Sequence, residues 1–290
     1  MIQASTKLFA VLGEAVAHSL SPRVQNSAFQ EVGVDGVYVA LGCTSGELGG
    51  LIRGIACAGG GGNVTLPHKE AAAAIVDEPS ELVLQTGACN TFWLAKGRIH
   101  GDNTDVAGFR GAVESFLGRT PVGSSVLLLG AGGAARAALV GLIRDNVGSV
   151  FIWNRTVERA ERLASDLGQD RTRVIHSKEE LGGQAFDLII NSTSLGMATD
   201  DPLPLDLSQA QRPGAILDLV YRPDETALVR EARKLEIPAA DGGEMLVRQG
   251  AKAFEQWWDR PAPLAVMMEA LKQFRSEMLG GTKQDEKGDQ

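Results

Sequence analysis

Two patterns in this chain could do chemistry. The first is Gly130-Ala131-Gly132-Gly133-Ala134-Ala135, which fits G-x-G-x-x-[G/A]. An apolar run precedes it and an alanine-rich helical run follows it, the context such a loop needs. Gly130 permits the tight turn, Gly132 leaves room for a pyrophosphate, and Ala135 lets the helix pack closely on the strand. The free N–H groups at the helix start would face the phosphates. The next strand ends in Asn154-Arg155-Thr156, where an NAD enzyme usually carries Asp or Glu for the ribose 2′-hydroxyl. A guanidinium and a hydroxyl suit a 2′-phosphate instead, so the cofactor expected is NADP.

The second pattern is a set of polar residues that packing alone does not explain. Ser19 and Ser21 flank Leu20 ahead of a helix, and one serine suffices as a cap. Asn63, Thr65 and Lys69 follow a short strand. Lys69 then falls in the first turn of a helix, where a cation meets the positive end of the dipole. A residue that breaks a local rule is a functional suspect. Asn90 stands at a strand start, and Gly101-Asp102-Asn103-Thr104-Asp105 leads into a helix that Asp105 could cap. Tyr221 follows an apolar strand. Gln249 shares a helix face with Met245 and Ala253, where a buried amide needs a partner.

The elements that must hold these residues are legible as short apolar runs alternating with helical patterns. In the first third, strands are expected at 8–12 and 37–41 and one ending at 63–65, with a hairpin of 90–94 and 98–100 around Lys96-Gly97. Helices are expected from Ser21 as N-cap with Pro22 first, over 47–57, and from Pro67 to Ala74. From Asp105 the rhythm is helix 106–116, strand 126–129, helix 134–144, strand 150–153, helix 157–167 stopping at a C′ Gly168, strands 187–190 and 215–219, and helix 225–235. Such alternation implies a parallel sheet with right-handed crossovers. Helices 244–258 and 264–278 and a polar tail end the chain.

Composition excludes several classes. The 290 residues suit about two domains and can bury a core without staples. Gly, at 35 residues, is well above its usual ~7% share, which implies many tight turns and close backbone approaches. A net charge of −8 without a Lys/Arg stripe argues against nucleic acid and against an anionic membrane surface. No apolar stretch approaches the ~20 residues of a membrane span, and no secretory signal is read at the N-terminus. Cys43, Cys57 and Cys89 have neither disulfide nor zinc spacing, and the four histidines form no metal pattern. The expectation is a cytoplasmic protein with reduced thiols and no metal. Oligomeric state is not legible, and a homodimer is one option.

Taken in order, SLSP, NVTLPHK, ACNT, GDNTD, GAGGAAR, NRT, NSTSLGM and GGEMLVRQG resemble the shikimate dehydrogenase family over about residues 8–278. The resemblance implies an α/β protein: a Rossmann NADP-binding domain at 105–239, and an α/β substrate domain at 1–104 completed by C-terminal helices at 240–279. Residues 280–290 are then a polar tail, and the active site lies in the cleft between the domains. Ser19 and Ser21 would hold the substrate carboxylate with help from Tyr221. Thr65, Asn90 and Gln249 would bind ring hydroxyls together with Lys69 and Asp105, which would also be the catalytic pair. Gly130, Ala131, Gly132, Gly133, Ala134 and Arg136, with Asn154, Arg155 and Thr156, would bind NADP. Thr193 and Met197 would lie near the nicotinamide half, and Gly243 joins the cofactor set. Gln25 departs from the family, which usually has His at this place in SPxxHN.

The implied activity is reversible reduction of 3-dehydroshikimate to shikimate in aromatic amino-acid biosynthesis. Hydride transfer at a ring carbon needs a proton moved on the adjacent oxygen. A Lys ammonium can supply it, with an Asp to orient and stabilise the charge. The alternatives are a quinate or aminoshikimate dehydrogenase of the same family, or a non-catalytic NADP-binding regulator. Retention of both Lys69 and Asp105 argues against the regulator.

Overall fold

A computed structural model describes residues 2–181, 184–209 and 211–285. In chain order the elements are β1 (Lys7–Gly13), α1 (Ser21–Val32), β2 (Gly36–Gly42), α2 (Ser45–Cys57), β3 (Gly61–Val64), α3 (Lys69–Ile75), β4 (Glu78–Pro79), α4 (Glu81–Thr86), β5 (Thr91–Ala95), β6 (Arg98–Asp102) and α5 (Asp105–Leu117). Then follow β7 (Ser125–Leu129), α6 (Gly133–Arg144), β8 (Ser149–Trp153), α7 (Val157–Leu167), β9 (Thr172–Val174), β10 (Leu188–Asn191), β11 (Ala215–Asp218), α8 (Ala227–Lys234), β12 (Ala239–Ala240), α9 (Gly243–Trp258) and α10 (Leu264–Asp285). The chain divides into two compact units. Met1–Gly108 with Leu246–Ser276 forms one, and Phe109–Met245 with the chain from Glu277 forms the other.

The first unit holds a six-stranded sheet of order β2-β1-β3-β5-β6-β4. β1 pairs parallel with β2 and β3, whereas β5 pairs antiparallel with β3 and with β6. The β5–β6 hairpin turns at Lys96-Gly97, both with positive φ, 50° and 73°. Two such residues match the right-handed strand twist in a two-residue turn. On one face Leu48, Ile52, Phe92 and Ile99 form a core. On the other, Phe9 of β1 meets Phe29 of α1 and Trp257 and Trp258 of α9 at ring-centroid distances of 5.0–5.2 Å. Helix α9, although late in the chain, is thereby built into this unit.

The second unit holds a sheet of order β12-β11-β10-β7-β8-β9 in which every pairing is parallel. Its central strands are apolar except at their ends, as burial on both faces requires. Leu127, Leu128 and Leu129 are fully buried, and each contributes about 1.5–3 kcal/mol. The order reverses between β7 and β10, the place where open α/β sheets bind ligands beyond the carboxyl ends of their strands.

Several local expectations are corrected. Ser21 does not cap α1: Leu20, already helical at φ −83° and ψ −10°, is the N-cap, and Ser21 is the first helical residue. Ser19 does the polar work there, its Oγ accepting the Ser21 N–H at 3.3 Å. Pro67 does not open α3. It lies after a cis Leu66–Pro67 peptide, in a turn closed by His68 N–H donating to Thr65 O at 3.0 Å, and the helix starts at Lys69. Gly168 ends α7 but is not left-handed, with φ −76°. It is glycine for space, since a Cβ would lie 2.0 Å from Thr172 Oγ1. The sequence pattern does not predict the short elements β4, α4, β9 and β12, although Ser80 caps α4 and the left-handed Gly87 ends it. Of the expected tail 280–290, helix α10 runs through Asp285, and 286–290 lie outside the described residues.

Candidate active site

Lys69 and Asp105 meet. Lys69 Nζ donates to Asp105 Oδ2 at 2.5 Å, and the side chains are only 14% and 5% exposed. The two residues are joined through the β5–β6 hairpin, whose register sets Thr91 opposite Asp102. That pairing carries the residues just outside it, Asn90 and the Asn103–Asp105 run, side by side. Lys69 is tied to the same place because its carbonyl accepts the Cys89 N–H at 2.8 Å. Its neighbour His68 is buried, with Nε2 at 2.9 Å from Cys43 O and Nδ1 at 3.3 Å from Ser45 Oγ, which anchors the start of α3.

Asn90 is the centre of the cluster. Its Nδ2 reaches Asp105 Oδ1 at 2.9 Å, Thr104 Oγ1 at 3.0 Å and Gln249 Oε1 at 3.3 Å. Its Oδ1 accepts the Thr104 N–H at 2.7 Å. Beneath it, Tyr38 Oη donates to Asn63 Oδ1 at 2.7 Å, and Asn63 Nδ2 donates to Asn90 O at 3.1 Å. Asn103 closes the loop by donating to Thr86 Oγ1 and Ala88 O at 3.0 and 2.9 Å. Every buried polar atom named here has a partner, as burial requires. Each carboxylate oxygen of Asp105 is satisfied, one by an ammonium and one by an amide. The ammonium has donors left for a further oxygen.

Gln249 reaches this cluster because α5 and α9 approach closely at Gly108, where a Cβ would lie 2.7 Å from Gln249 Cβ. Gln249 Nε2 donates to Leu246 O at 2.7 Å. One residue along, Gly250 O accepts from Gln25 Nε2 at 2.8 Å. Gln25 is buried, and it thus ties α1 to α9 where the family's usual histidine stood in expectation. Thr65 continues the end of β3, its N–H donating to Leu12 O at 2.8 Å. Ser19 and Ser21 lie in the same unit at the mouth of α1. Asn63 and Thr104 lie in polar runs marked by the sequence but without an assigned role, and Tyr38 lies outside them. The signal available was a polar residue inside an apolar strand or loop, which cannot be separated from a cap without the tertiary partner.

The second unit carries the rest. Gly130 has φ 111°, and a Cβ there would lie 2.7 Å from Ser192 Oγ. Gly132, the N-cap of α6, has open space where its Cβ would be, and no side chain caps the helix. Ala131, Gly133 and Ala134 continue the turn into α6, and buried Ala135 lies against the sheet. The uncapped N-terminus of this 12-residue helix could hold a pyrophosphate. Beyond β8, Asn154 Nδ2 donates to Thr156 O at 2.8 Å and folds that turn. Arg155 is exposed and makes no ion pair with any described residue. Arg136 instead pairs with Asp166 of α7 at 3.1 Å. Thr193 and Met197 lie on the loop after β10, Tyr221 follows β11, and Gly243 begins α9, its N–H donating to Asp241 Oδ1 at 3.0 Å. Burial pushes the Asp218 carboxyl at the end of β11 up to about 6, against hydrogen bonds from Thr226, Asn191 and Val220 that pull it down.

Residues 11–92 match the shikimate dehydrogenase substrate binding domain, 116–201 match shikimate / quinate 5-dehydrogenase, and 242–272 match the shikimate 5′-dehydrogenase C-terminal domain. A shikimate dehydrogenase (NADP(+)) of Salinibacter ruber is 40% identical over 284 residues, covering 93% of this chain and 99% of its own. The crystal structure of shikimate dehydrogenase from Aquifex aeolicus is similar at a TM-score of 0.86 with 33% identity, covering 93% of this chain and 99% of its own. That of the Thermus thermophilus enzyme in complex with NADP(H) and shikimate has a TM-score of 0.78 and 35% identity, covering 93% and 100%. Identity at this level along nearly the whole length means that the chain belongs to the shikimate dehydrogenase family.

Proposed function

We propose that the chain catalyses the NADP-dependent, reversible reduction of 3-dehydroshikimate to shikimate, with Lys69 and Asp105 as its catalytic pair. The observation that carries the assignment of the pair is the buried contact of Lys69 Nζ with Asp105 Oδ2, on a cluster whose other members offer only hydroxyl-binding groups. Bound NADP supplies the hydride acceptor or donor. Gly130, Gly132 and the α6 N-terminus would take its pyrophosphate, with Ala131, Gly133, Ala134 and Arg136 alongside. Arg155, with Asn154 and Thr156, would take its 2′-phosphate, and Thr193, Met197 and Gly243 would border the rest.

Toward the substrate, Ser19, Ser21 and Tyr221 bind the carboxylate, and Thr65, Asn90 and Gln249 bind hydroxyls. Lys69 holds a proton at Nζ and delivers it to the ring oxygen as that oxygen gains charge during reduction. In the oxidative direction the proton returns to Nζ. Asp105 fixes the ammonium, and Asn90 fixes Asp105. General acid catalysis of this kind is worth about 10²–10⁴ in rate.

The test is a panel of steady-state rates with shikimate and quinate, each with NADP and with NAD. Shikimate with NADP should give the highest kcat/KM. A preference for quinate, or no turnover at all, overturns the reading. The three cysteines, all thiols, support placing the enzyme in a reducing cytoplasm. Assembly as a homodimer is read by sedimentation.

A further inference from the structure

Asp218 ends β11, is fully buried, and makes no ion pair with any described residue. Its Oδ1 accepts from Asn191 Nδ2 at 2.8 Å and from the Val220 N–H at 3.1 Å. Asn191 ends the neighbouring strand β10 and is the register partner of Asp218. The rest of the Asn191 side chain is spent on the loop that follows. Its Oδ1 accepts the Thr193 N–H at 3.0 Å and the Thr193 hydroxyl at 2.7 Å, and its Nδ2 also donates to Leu195 O at 3.1 Å. Thr193 Oγ1 in turn accepts the Leu195 N–H at 3.1 Å. At the other end of the same loop Gly196, with φ 102°, lies close enough that a Cβ would be 3.9 Å from Asp218 Oδ2. Ser192 Oγ donates to Leu129 O at 2.6 Å, beside Gly130. Two loops therefore hang on one carboxylate: 192–197 through Asn191, and the turn to Tyr221 through Val220.

We infer that Asp218 is a positioning residue, holding loop 192–197 and the Val220-Tyr221 turn in the arrangement that hydride transfer requires. This rests on the dehydrogenase reading above, in which Thr193, Met197 and Tyr221 border the reacting groups. A merely space-filling residue at this position would be apolar, because an unpaired buried carboxyl is costly. Here the carboxyl is kept as an acceptor for two loops, and its raised affinity for a proton is the cost of that burial.

The experiment is on the full chain. In Asp218→Ala, amide hydrogen exchange without ligand should quicken at Thr193, Leu195 and Val220 and stay slow in β7 and β10. Its kcat should fall about 10- to 100-fold, the cost of small misplacement. Adenosine 2′,5′-bisphosphate, which probes only the Arg155 end, should bind as before. Asp218→Asn, which keeps Oδ1 as the acceptor for Asn191 and Val220, should recover most of the lost kcat. Wild-type kcat in Asp218→Ala, exchange rising equally in β7 and β10, or loss of the adenosine probe would each overturn the inference. If Asp218→Ala does not fold, Asn191→Ala breaks the same link from the loop side and must show the same split between kcat and probe binding. Failure of the dehydrogenase reading is seen separately, as absence of shikimate turnover in the wild type, while the exchange pattern still decides whether Asp218 holds the loops.

Discussion

Removing Lys69 separates catalysis from folding. Lys69 Nζ and Asp105 Oδ2 are 2.5 Å apart with side chains 14% and 5% exposed, so the pair is largely desolvated. Breaking a buried pair from one side typically costs about 3–5 kcal/mol, because the other charge is stranded. Asp105 is not wholly stranded here: Asn90 Nδ2 still donates to its Oδ1 at 2.9 Å. Lys69→Ala should therefore destabilise by about 3 kcal/mol, the low end of that range. A domain stable by the usual 5–15 kcal/mol survives this loss. Asp105→Asn strands the ammonium instead and turns an amide N–H toward either Lys69 Nζ or Asn90 Nδ2, so it should cost a similar amount. Turnover is a separate matter. Each single change should lower kcat by about 10²–10⁴, with shikimate KM changed far less. Because the aspartate acts through the ammonium, the double variant should be little worse than the worse single, as groups acting as a unit are non-additive. The assays are steady-state kinetics with shikimate and NADP beside urea unfolding of all four proteins. A double variant showing the product of both losses would mean that the two act independently, and near-normal turnover in Lys69→Ala would refute the assignment.

Other expectations follow from the second unit. Arg155→Ala should weaken NADP by roughly 10- to 100-fold, the worth of a charge-assisted contact, while NAD kinetics stay level; equal losses for both nicotinamides would remove Arg155 from the 2′-phosphate. Gly132→Val meets open space and an ordinary backbone at φ −93°, so its Tm should hold while NADP binding, followed by calorimetry, is lost. Retained binding would move the pyrophosphate elsewhere. For Asp218 the folded carboxyl holds its proton up to about 6 against an ordinary 3.8. The folded state then binds more protons between those values, and stability falls as pH rises through them. The loss is about 3 kcal/mol, complete above the folded value. Unfolding free energies of wild type and Asp218→Asn should diverge by about 2 kcal/mol between pH 4, where the loss has already begun, and pH 7, and parallel pH curves would refute it.

Much of this protein was decided along the chain itself. The glycine turn reads directly because strand, Gly130, Gly132 and helix are contiguous, and each requirement is local: a positive φ at Gly130, an open Cβ position at Gly132, free N–H groups ahead of α6. The parallel sheet of the second unit reads for a similar reason, since unbroken apolar runs such as 126–129 can only be buried on both faces. The exchange of an acidic residue for Arg155 after β8 is equally local. Helix starts were less legible. Ser21 and Pro22 look like a cap and a first turn, but Leu20 had room to adopt helical angles, which only the packed chain shows. The polar cluster belongs to tertiary structure. Asn90 has partners at Thr104, Asp105 and Gln249, up to 159 residues away, and no spacing rule connects them. They converge because the β5–β6 hairpin sets its register, α3 is pinned through Lys69 O, and Gly108 lets α9 come close enough to insert Gln249. Which of many buried polar residues binds which is a matter of hydrogen-bond satisfaction in three dimensions. Asn191 and Asp218 look like strand ends in the sequence, and only the parallel register makes them one pair.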